Sequence, residues 1–399
     1  MKEPFIKPLA ILTELKSHGH EAYFVGGAVR DLLLNREIGD IDIATSARPE
    51  QVKSLFSKTI DVGAIHGTII VLLNGSAYEV TTYRSEDQYE DYRRPGSVTF
   101  IKSLKEDLAR RDFTMNAIAM SSEGKIVDPF HGRKAIAAKL IQTVGDPTDR
   151  FSEDALRMMR AIRFVSQLSF RLDENTYKAI KVNTKLLENI SVERKTVEFE
   201  KLISGENYET SLKYLEATEI FWYLPGMGVH NDRISNLQSF DWTSLTERPE
   251  HWTLLVYLLQ CKHPAIFLRS WKLPNKVIKN VMTNLHLLNQ VHSMDDWSRI
   301  LLYTYGEVNV IQAEKVRSVL MDENINENLE RLHMLFKRMP ITSRRELAID
   351  GHDLIMIYNE KPGAWVADLL EKVEQEVIMD RIKNDKGKIE EWLLTCNLK

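Results

Sequence analysis

The chain has 399 residues, 43% hydrophobic and 28% charged, which favours about two to four soluble globular domains and excludes a single ordinary core. No apolar run approaches the roughly 20 residues of a membrane span, and the N-terminus lacks the apolar run of a signal peptide, so we expect a cytoplasmic protein without a membrane partner. The net charge of −4 gives no overall sign of a polyanionic partner, and two cysteines, Cys261 and Cys396, cannot form a disulfide framework.

The first 145 residues alternate helix and strand signals, which is typical of an α/β domain. Asn74 and Gly75 lie between two apolar runs and favour a tight hairpin turn. The polar, acidic residues 85–95 have nothing to bury and are predicted to form a mobile loop. The predicted elements before that loop are a helix over residues 8–17, a strand over 22–25, a helix after Gly27 through 34, a strand over 40–44, and hairpin strands over 68–73 and 77–83.

Beyond about residue 148 the strand signals fade and long helical patterns follow. Residues 133–201 carry 14 Lys and Arg against 10 Asp and Glu, which favours a bound polyanion there unless the charges only form a solvated face. Helices are predicted over residues 151–168, 174–190 and 192–204, and over 298–399 apart from breaks at Pro340 and Pro362-Gly363. We therefore predict an α+β fold class, with an N-terminal α/β head followed by an elongated all-helical part.

Two acids and a glycine turn form the densest group of candidate functional residues. Residues two apart in a strand point the same way, so Asp40 and Asp42 would project together from the predicted strand. Two neighbouring carboxylates suit Mg²⁺ bound to a nucleoside triphosphate, although solvated acids on an edge strand are the alternative. The upstream Gly26-Gly27 turn, which would let backbone amides approach a triphosphate, and the positive charge of Arg30 favour the metal hypothesis.

A second polar string, Arg110-Arg111-Asp112-Phe113-Thr114-Met115-Asn116-Ala117, leads into an apolar run. Its paired arginines and aspartate could form a surface salt-bridge patch. Arg111 could equally bind a phosphate or a ribose. The string alone leaves both interpretations open.

The predicted helix that begins near Ser152 carries the third group. Ser152 is the expected N-cap, and the two acids that follow it lie in the first turn, where the helix dipole favours them. Four charged residues step by threes over about half of the helix circumference, namely Asp154, Arg157, Arg160 and Arg163. Because the rest of the helix is nearly all apolar, this ridge favours a lined cleft over a structural ion-pair network.

Taken in order, these motifs resemble those of class II tRNA nucleotidyltransferases. The residues that carry the resemblance span about 20–200 and comprise Phe24-Val25-Gly26-Gly27-Ala28-Val29-Arg30-Asp31, Asp40-Ile41-Asp42, Arg110 to Ala117, Asp128-Pro129-Phe130-His131-Gly132, Glu153-Asp154 with Arg157, and Glu193-Arg194 with Glu198. The resemblance implies an enzyme that adds and repairs the 3′-terminal CCA of tRNA with CTP and ATP. It needs no nucleic-acid template and releases pyrophosphate.

The same resemblance implies residue roles and domains. Asp40 and Asp42 would hold catalytic Mg²⁺, and Glu79 would be the third catalytic carboxylate. Nucleotide contacts would come from Gly27, Arg30 and Arg111, and the base pocket from Asp154, Arg157, Arg160 and Arg163. The implied domains are a polymerase-β-like nucleotidyltransferase palm head over 1–147, a neck with the base pocket over 148–205, a body over 206–297 and a tRNA-binding tail over 298–399. Monomer and homodimer both stay open.

The chemistry of the bases explains how one Asp and one Arg could choose both nucleotides. Cytosine and adenine each present an amino donor beside a ring-nitrogen acceptor, whereas uracil and guanine present a carbonyl acceptor beside a ring N–H donor. Asp154 would accept from the amino group and Arg157 would donate to the ring nitrogen. Such a bidentate contact discriminates by about 1–3 kcal/mol.

Four other functions fit parts of the sequence. Bacterial poly(A) polymerases share the head motifs, but the small net charge and the lack of long basic arms disfavour an arbitrary RNA tail as substrate. Enzymes that add only CC or only A are a closer alternative. The resemblance implies that the loop after the palm hairpin matters for the change from C to A, so the ample segment 85–95 favours complete addition. His352-Asp353 suggests a metal-dependent phosphohydrolase, but such an enzyme needs further histidines and an aspartate in register, and the sequence does not have them. A non-catalytic RNA-binding module does not explain the Asp40 and Asp42 pair.

Overall fold

The computed structural model describes residues 3–86, 89–90, 94–95 and 98–395. The chain forms two compact units, Met1–Gln238 and Ser239–Lys399. Within the described residues every strand belongs to the first unit, and the second unit is helical. None of the described helices is long and apolar enough to cross a membrane.

A seven-stranded mixed sheet organises the first unit. The described strands are β1 (Ala22–Val25), β2 (Asp42–Thr45), β3 (Thr59–Gly63), β4 (Thr68–Leu73), β5 (Ser76–Thr82), β6 (Arg84–Glu86), β7 (Tyr89–Glu90), β8 (Arg94–Pro95), β9 (Val98–Phe100), β10 (Ala119–Met120), β11 (Ile126–Val127), β12 (Leu140–Ile141) and β13 (Arg171–Leu172). The large sheet has the order β11-β10-β1-β2-β5-β4-β3, in which only the β2 and β5 neighbours run parallel. The other described strands form the pairs β6-β9, β7-β8 and β12-β13.

Helices of the first unit flank the sheet and continue beyond it. They are α1 (Leu9–Ser17), α2 (Gly27–Leu33), α3 (Pro49–Leu55), α4 (Leu104–Ala109), α5 (Gly132–Ala137), α6 (Pro147–Glu153), α7 (Leu156–Leu168), α8 (Glu174–Asn183), α9 (Val192–Ile203) and α10 (Tyr208–Ala217). Short 3₁₀ helices lie at Ala64–His66, Thr114–Asn116, Thr184–Asn189, Ile220–Tyr223, Gly228–Arg233 and Ser235–Ser239.

Local sequence explains the hairpin and the inward face of β2. Asn74 and Gly75 both have positive φ, 50° and 81°, as a two-residue turn matched to strand twist requires, and they join β4 to β5 as predicted. Ile43 on β2 is fully buried, and Ile41 just before the strand is 7% exposed. Both isoleucines therefore enter the core, and Asp42 between them is left facing away from it.

Three local predictions were wrong. The strand predicted from residue 40 begins at Asp42, so Asp40 lies before it. The helix predicted over 151–168 is two helices, α6 and α7, because Asp154 between them has extended backbone angles of φ −140° and ψ 101°. Ser152 does not cap a helix: it lies inside α6, whose N-cap is Asp146, and its hydroxyl donates to the Thr148 carbonyl at 2.8 Å.

The segment predicted to be a mobile loop, residues 85–95, lies partly outside the described residues. Its described parts are strands: β6 pairs with β9, and β7 pairs with β8, both antiparallel. The polar composition that predicted an unstructured loop therefore did not exclude short strand pairing.

The second unit consists of packed helices. They are α11 (Arg248–Leu258), α12 (Pro264–Ser270), α13 (Asn275–Leu288), α14 (Arg299–Met321), α15 (Ile325–Lys337), α16 (Gly351–Tyr358), α17 (Ala364–Ile378) and α18 (Lys386–Thr395), with 3₁₀ helices at Met294–Asp296 and Arg344–Glu346. Its core includes the fully buried Trp252 and Trp271, whose rings meet edge to face at 5.0 Å. The predicted breaks at Pro340 and Pro362-Gly363 are confirmed, but the prediction that 298–399 is otherwise helical was wrong, because the helices are also interrupted at residues 322–324 and 379–385. The division into four domains stays a prediction.

Candidate active site

An arginine-lined cavity of about 680 Å³ lies within the first unit. Every residue predicted to bind nucleotide lines it, namely Gly27, Arg30, Arg111, Asp154, Arg157, Arg160 and Arg163. The other lining residues are Gly26, Asp42, Arg84, Arg110, Asp112, Asn116, Leu156, Phe164, Arg194 and Lys201. Among these described lining residues, eight arginines and Lys201 face three aspartates, which leaves an excess of six positive charges.

The glycine turn between β1 and α2 forms one wall of the arginine-lined cavity. Gly26 has φ 73° and ψ −135°, a conformation that disfavours any side chain, and a Cβ placed there would stand 2.9 Å from Nη1 of Arg111. Arg30, in the first turn of α2, donates to both carboxylate oxygens of Asp31 at 2.9 Å and to Oδ1 of Asn116 at 2.8 Å. The turn therefore brings backbone and two guanidinium groups together at one place.

The predicted catalytic carboxylates come from neighbouring strands. Asp42 opens β2 and lies opposite Glu79 in the parallel register with β5. Burial, the charge of Glu79 and the charge of Asp40 raise the pKa of Asp42 to about 6, against the opposite effect of Arg111. Asp42 lines the arginine-lined cavity, whereas Glu79 lines a second cavity of about 470 Å³. Arg84 lines both cavities. Asp42 is thus the point at which three acids interact.

As the side chains lie, no group of three or more His, Cys, Asp or Glu among the described residues is close enough to hold a metal ion. Asp40 and Glu79 are both exposed. The charges nevertheless fit a cation, because like-charge repulsion at Asp42 would be relieved by one, and carboxylate oxygens are the ligands that hard divalent ions prefer.

Arg110 and Arg111 do not form the surface patch that was one interpretation of their motif. Both pair with Asp107, at 2.9 Å and 3.5 Å, and this aspartate is only 1% exposed. Burial lowers the pKa of the Arg111 guanidinium, and its buried Nε has no hydrogen-bond partner in the structure. Arg111 is therefore a half-buried cation at the cavity wall whose buried Nε–H has no hydrogen-bond acceptor.

The charged ridge is both a cavity wall and an ion-pair network. Arg194 Nη2 donates to Oδ2 of Asp154 at 2.6 Å, and Oδ1 of Asp154 accepts from the amide of Leu156 at 3.1 Å. Arg157 Nη1 donates to Oε2 of Glu153 at 2.6 Å and to the Arg150 carbonyl at 3.1 Å, and its Nη2 donates to the Arg110 carbonyl at 3.0 Å. The two predicted base-reading groups are thus held in fixed orientations.

The other two ridge arginines are anchored in the same way. Arg160 Nε donates to Oδ2 of Asp112 at 2.8 Å, and Arg163 Nε donates to Oε2 of Glu198 at 2.5 Å. Burial would raise the pKa of Asp112, but the charge of Arg160 and a hydrogen bond from Asn116 outweigh it and lower the value to about 2. Asp112 therefore stays ionised across the physiological range.

Sequence reasoning missed several lining residues. Arg84, Arg194 and Lys201 add positive charge, and Phe164 adds an aromatic ring. Arg194 belongs to one of the motifs but has no predicted role, although its place beside Glu193 and near Glu198 was a usable signal. Arg84 and Lys201 had no local signal, since only the fold brings β6 and α9 to this cavity.

A mixed sheet that presents acids on adjacent strands beside a glycine turn and a strongly cationic cavity defines the nucleotidyltransferase class of enzymes. Three family models match the chain: the poly A polymerase head domain over residues 22–142, a probable RNA and SrmB-binding site of polymerase A over 169–228, and tRNA nucleotidyltransferase domain 2 over 243–393.

Whole-chain similarities are more specific. The chain is 53% identical over 398 residues to the CCA-adding enzyme of Geobacillus sp. (strain WCH70), covering 100% of this chain and 98% of that protein. It is 48% identical to the CCA-adding enzyme of Bacillus cereus (strain G9842), covering 99% and 100%. The crystal structure of the Bacillus stearothermophilus CCA-adding enzyme in complex with CTP matches with a TM-score of 0.92 at 45% identity, covering 99% and 98%.

The chain belongs to the CCA-adding enzymes, a family of tRNA nucleotidyltransferases. The predicted α+β fold class and the predicted enzyme class are confirmed. Nucleotidyltransferases of this polymerase family generally use divalent metals.

Proposed function

We propose that this enzyme adds C, C and A to the 3′ end of tRNA from CTP and ATP without a nucleic-acid template. The tRNA 3′-hydroxyl attacks the nucleotide α-phosphate, and pyrophosphate leaves. The observation that carries the proposal is the arginine-lined cavity, which joins Asp42 and the glycine turn to the four ridge residues. We expect the enzyme in the cytoplasm, where its tRNA substrate is processed.

The charge of the cavity supports a triphosphate ligand. A nucleoside triphosphate carries about four negative charges at neutral pH, and the described lining residues have an excess of six positive ones, which stays positive, at two, when the four carboxylates that pair with lining arginines from outside the lining are included. Gly26 and Gly27 lack side chains, so the phosphates can approach the backbone closely. The unsatisfied Nε of Arg111 would donate to a phosphate oxygen, which would remove the cost of leaving a buried donor unpaired.

Asp40, Asp42 and Glu79 would hold Mg²⁺, whose preference for oxygen ligands fits three carboxylates. The chemistry that two bound ions supply is activation of the 3′-hydroxyl and stabilisation of the departing pyrophosphate. Asp42 reaches the cavity, and Glu79 lies beside it on the neighbouring strand. Asp40, exposed just before β2, would turn toward Asp42 on binding.

Asp154 and Arg157 would select the base. The carboxylate of Asp154 accepts two described hydrogen bonds and has roughly four lone-pair positions, so it can also accept from the amino group of C or A. Arg157 would donate to the ring nitrogen of the same base. Arg194 and Glu153 hold these two groups, so selection relies on side chains placed before the nucleotide arrives.

One experiment separates this proposal from its alternatives. The purified chain is incubated with tRNAs that lack CCA, CA or A, each with the four triphosphates offered singly and together, and the products are sequenced. We expect two C residues from CTP, one A only after CC, and no growth with UTP or GTP. A long A tract from ATP alone would identify a poly(A) polymerase, and incorporation of only CC or only A would identify a partial enzyme.

A further inference from the structure

Phe164 on α7 is the aromatic residue among the described residues that line the arginine-lined cavity. Its ring is contacted by three guanidinium groups, whose central carbons lie 5.2 Å (Arg30), 5.5 Å (Arg160) and 4.1 Å (Arg163) from the ring centroid. These distances are within the range of a cation–π interaction. Phe164 is itself only 5% exposed, and Arg30 and Arg163 are almost as buried, so these two contacts are shielded from water, whereas the Arg160 side chain is 33% exposed.

The three arginines share one pattern of support. The edge of each guanidinium is held by a carboxylate: Asp31 for the first, Asp112 for the second and Glu198 for the third. A guanidinium donates hydrogen bonds only in its plane, so its faces need another kind of partner. An aromatic ring attracts a cation without neutralising its charge. Phe164 therefore contacts all three cations and leaves their charge available to an anion in the cavity.

The same three groups would otherwise be difficult to keep together. Guanidinium groups that share one ring repel each other, and the repulsion is strong where water is excluded. Burial lowers the pKa of Arg163, and the charge of Arg160 acts in the same direction, against the effect of Glu198. Phe164 also meets the Phe113 ring edge to face at 5.7 Å, which fixes its own position. The ring is thus a rigid support rather than a mobile contact.

We propose that Phe164 is a positioning residue that holds Arg30, Arg160 and Arg163 toward the cavity and so sets the affinity for the incoming nucleoside triphosphate. It acts through the arginines and contacts no reacting atom. The inference rests on the proposed function, because it takes the arginine-lined cavity to be the nucleotide site.

The test compares ring-deleting and ring-keeping variants of the full chain. Phe164→Leu and Phe164→Met remove the ring, and Phe164→Tyr keeps it. Phe170→Leu is the matched control, since Phe170 is 3% exposed in the same unit but does not line the cavity. Equilibrium dissociation constants for CTP and ATP are measured for each protein, together with KM for tRNA, kcat and the melting temperature.

We expect the ring-deleting variants to bind CTP and ATP about 2- to 30-fold more weakly, with KM for tRNA unchanged. Phe164→Tyr should bind like the wild type, and Phe170→Leu should melt earlier without losing nucleotide affinity. Wild-type affinity in both ring-deleting variants would overturn the inference. So would an equal loss in Phe164→Tyr, or an equal loss in Phe170→Leu at a matched melting temperature.

The role of Phe164 and the proposed function are tested by different results. If the wild-type chain adds C and A to tRNA but the ring-deleting variants bind nucleotide normally, only the role of Phe164 is wrong. If the wild-type chain adds neither nucleotide, the proposed function itself is wrong, whatever the variants bind.

Discussion

Replacing Arg157 with alanine tests base selection directly, because the structure shows what the side chain contacts before any nucleotide binds. Arg157 is 7% exposed and joins Glu153 to the backbone carbonyls of Arg150 and Arg110. Arg157→Ala removes the proposed donor to the ring nitrogen of C and A. It also leaves a carboxylate and two carbonyls without this partner, so activity and stability should both respond.

The two effects have different sizes and different signatures. Loss of a bidentate base contact, about 1–3 kcal/mol, corresponds to roughly 5- to 150-fold lower kcat/KM, and it should fall for CTP and ATP alike. Leaving buried hydrogen-bonding groups unpaired costs about 1–3 kcal/mol of folding free energy, or roughly 2–12 °C in Tm for a unit of this size. A loss of folding free energy alone cannot lower kcat/KM if the assay temperature is well below the melting transition.

Arg150→Ala is the matched control for this prediction. Arg150 pairs with the same Glu153 and donates to the Ala109 carbonyl at 3.2 Å, but it does not line the arginine-lined cavity. Steady-state kinetics with CTP, ATP, UTP and GTP are measured beside thermal melting for both variants. Arg150→Ala should lower Tm with little change in kcat/KM. If Arg157→Ala loses no more efficiency than this control, the base-reading role of Arg157 is refuted.

Four further predictions concern the same site. Asp40→Ala and Asp42→Ala should each reduce nucleotide addition to below about 1% of wild type, because metal activation supplies several kcal/mol, while tRNA affinity measured by filter binding stays near wild type; activity above a few per cent in both would contradict the metal assignment. Asp154→Asn should weaken discrimination against UTP by about 5- to 150-fold, since an amide can donate to a carbonyl, and unchanged selectivity would count against the assignment. Deleting the centre of residues 85–95 should spare CC addition and impair the final A, as product sequencing would show; equal loss of C and A would mean a structural role only. Gly26→Ala should raise KM for both nucleotides, because φ is 73° and the new Cβ would stand 2.9 Å from a guanidinium nitrogen, and an unchanged KM would show that the turn is not part of the site.

The parts of the fold that were predictable from sequence depend on local chemistry. The hairpin followed from Asn74-Gly75 between two apolar runs, and the inward face of β2 followed from the alternation of Ile41 and Ile43 with acids. The break at Asp154 was not predictable in this way, since the apolar pattern continues across it. Its carboxylate is held by Arg194, 40 residues further along the chain. The other carboxylate oxygen accepts from the amide of Leu156, so a local contact and a distant one both accompany the break.

The candidate site shows the same division. All seven predicted nucleotide-binding residues line one cavity. They could be predicted because a glycine turn and a series of arginines three residues apart are recognisable patterns in the sequence. Which acid holds which arginine could not be predicted, since Asp112 and Glu198 reach the ridge only through the packing of separate segments. Arg84 lies on β6, beyond the recognised motifs, and only the tertiary fold brings it to the cavity.

In the structure the side chains that line the cavity are the same ones that form the ion-pair network, so the two interpretations of the ridge do not exclude each other. A cation that must meet an anionic substrate has to be in position before the substrate arrives, since reorganising it during the reaction would add to the barrier. Arg160 is held by an aspartate whose pKa is about 2, so this anchor stays charged wherever the protein is folded at neutral pH. The carboxylates neutralise much of the arginine charge but not all of it: the excess of six positive charges on the described lining residues falls to two when Asp31, Asp107, Glu153 and Glu198, which pair with lining arginines, are counted as well. The ion pairs therefore keep the arginines ordered while the cavity stays cationic. Removing the carboxylate of one pair should disorder its arginine without removing the positive charge of the cavity.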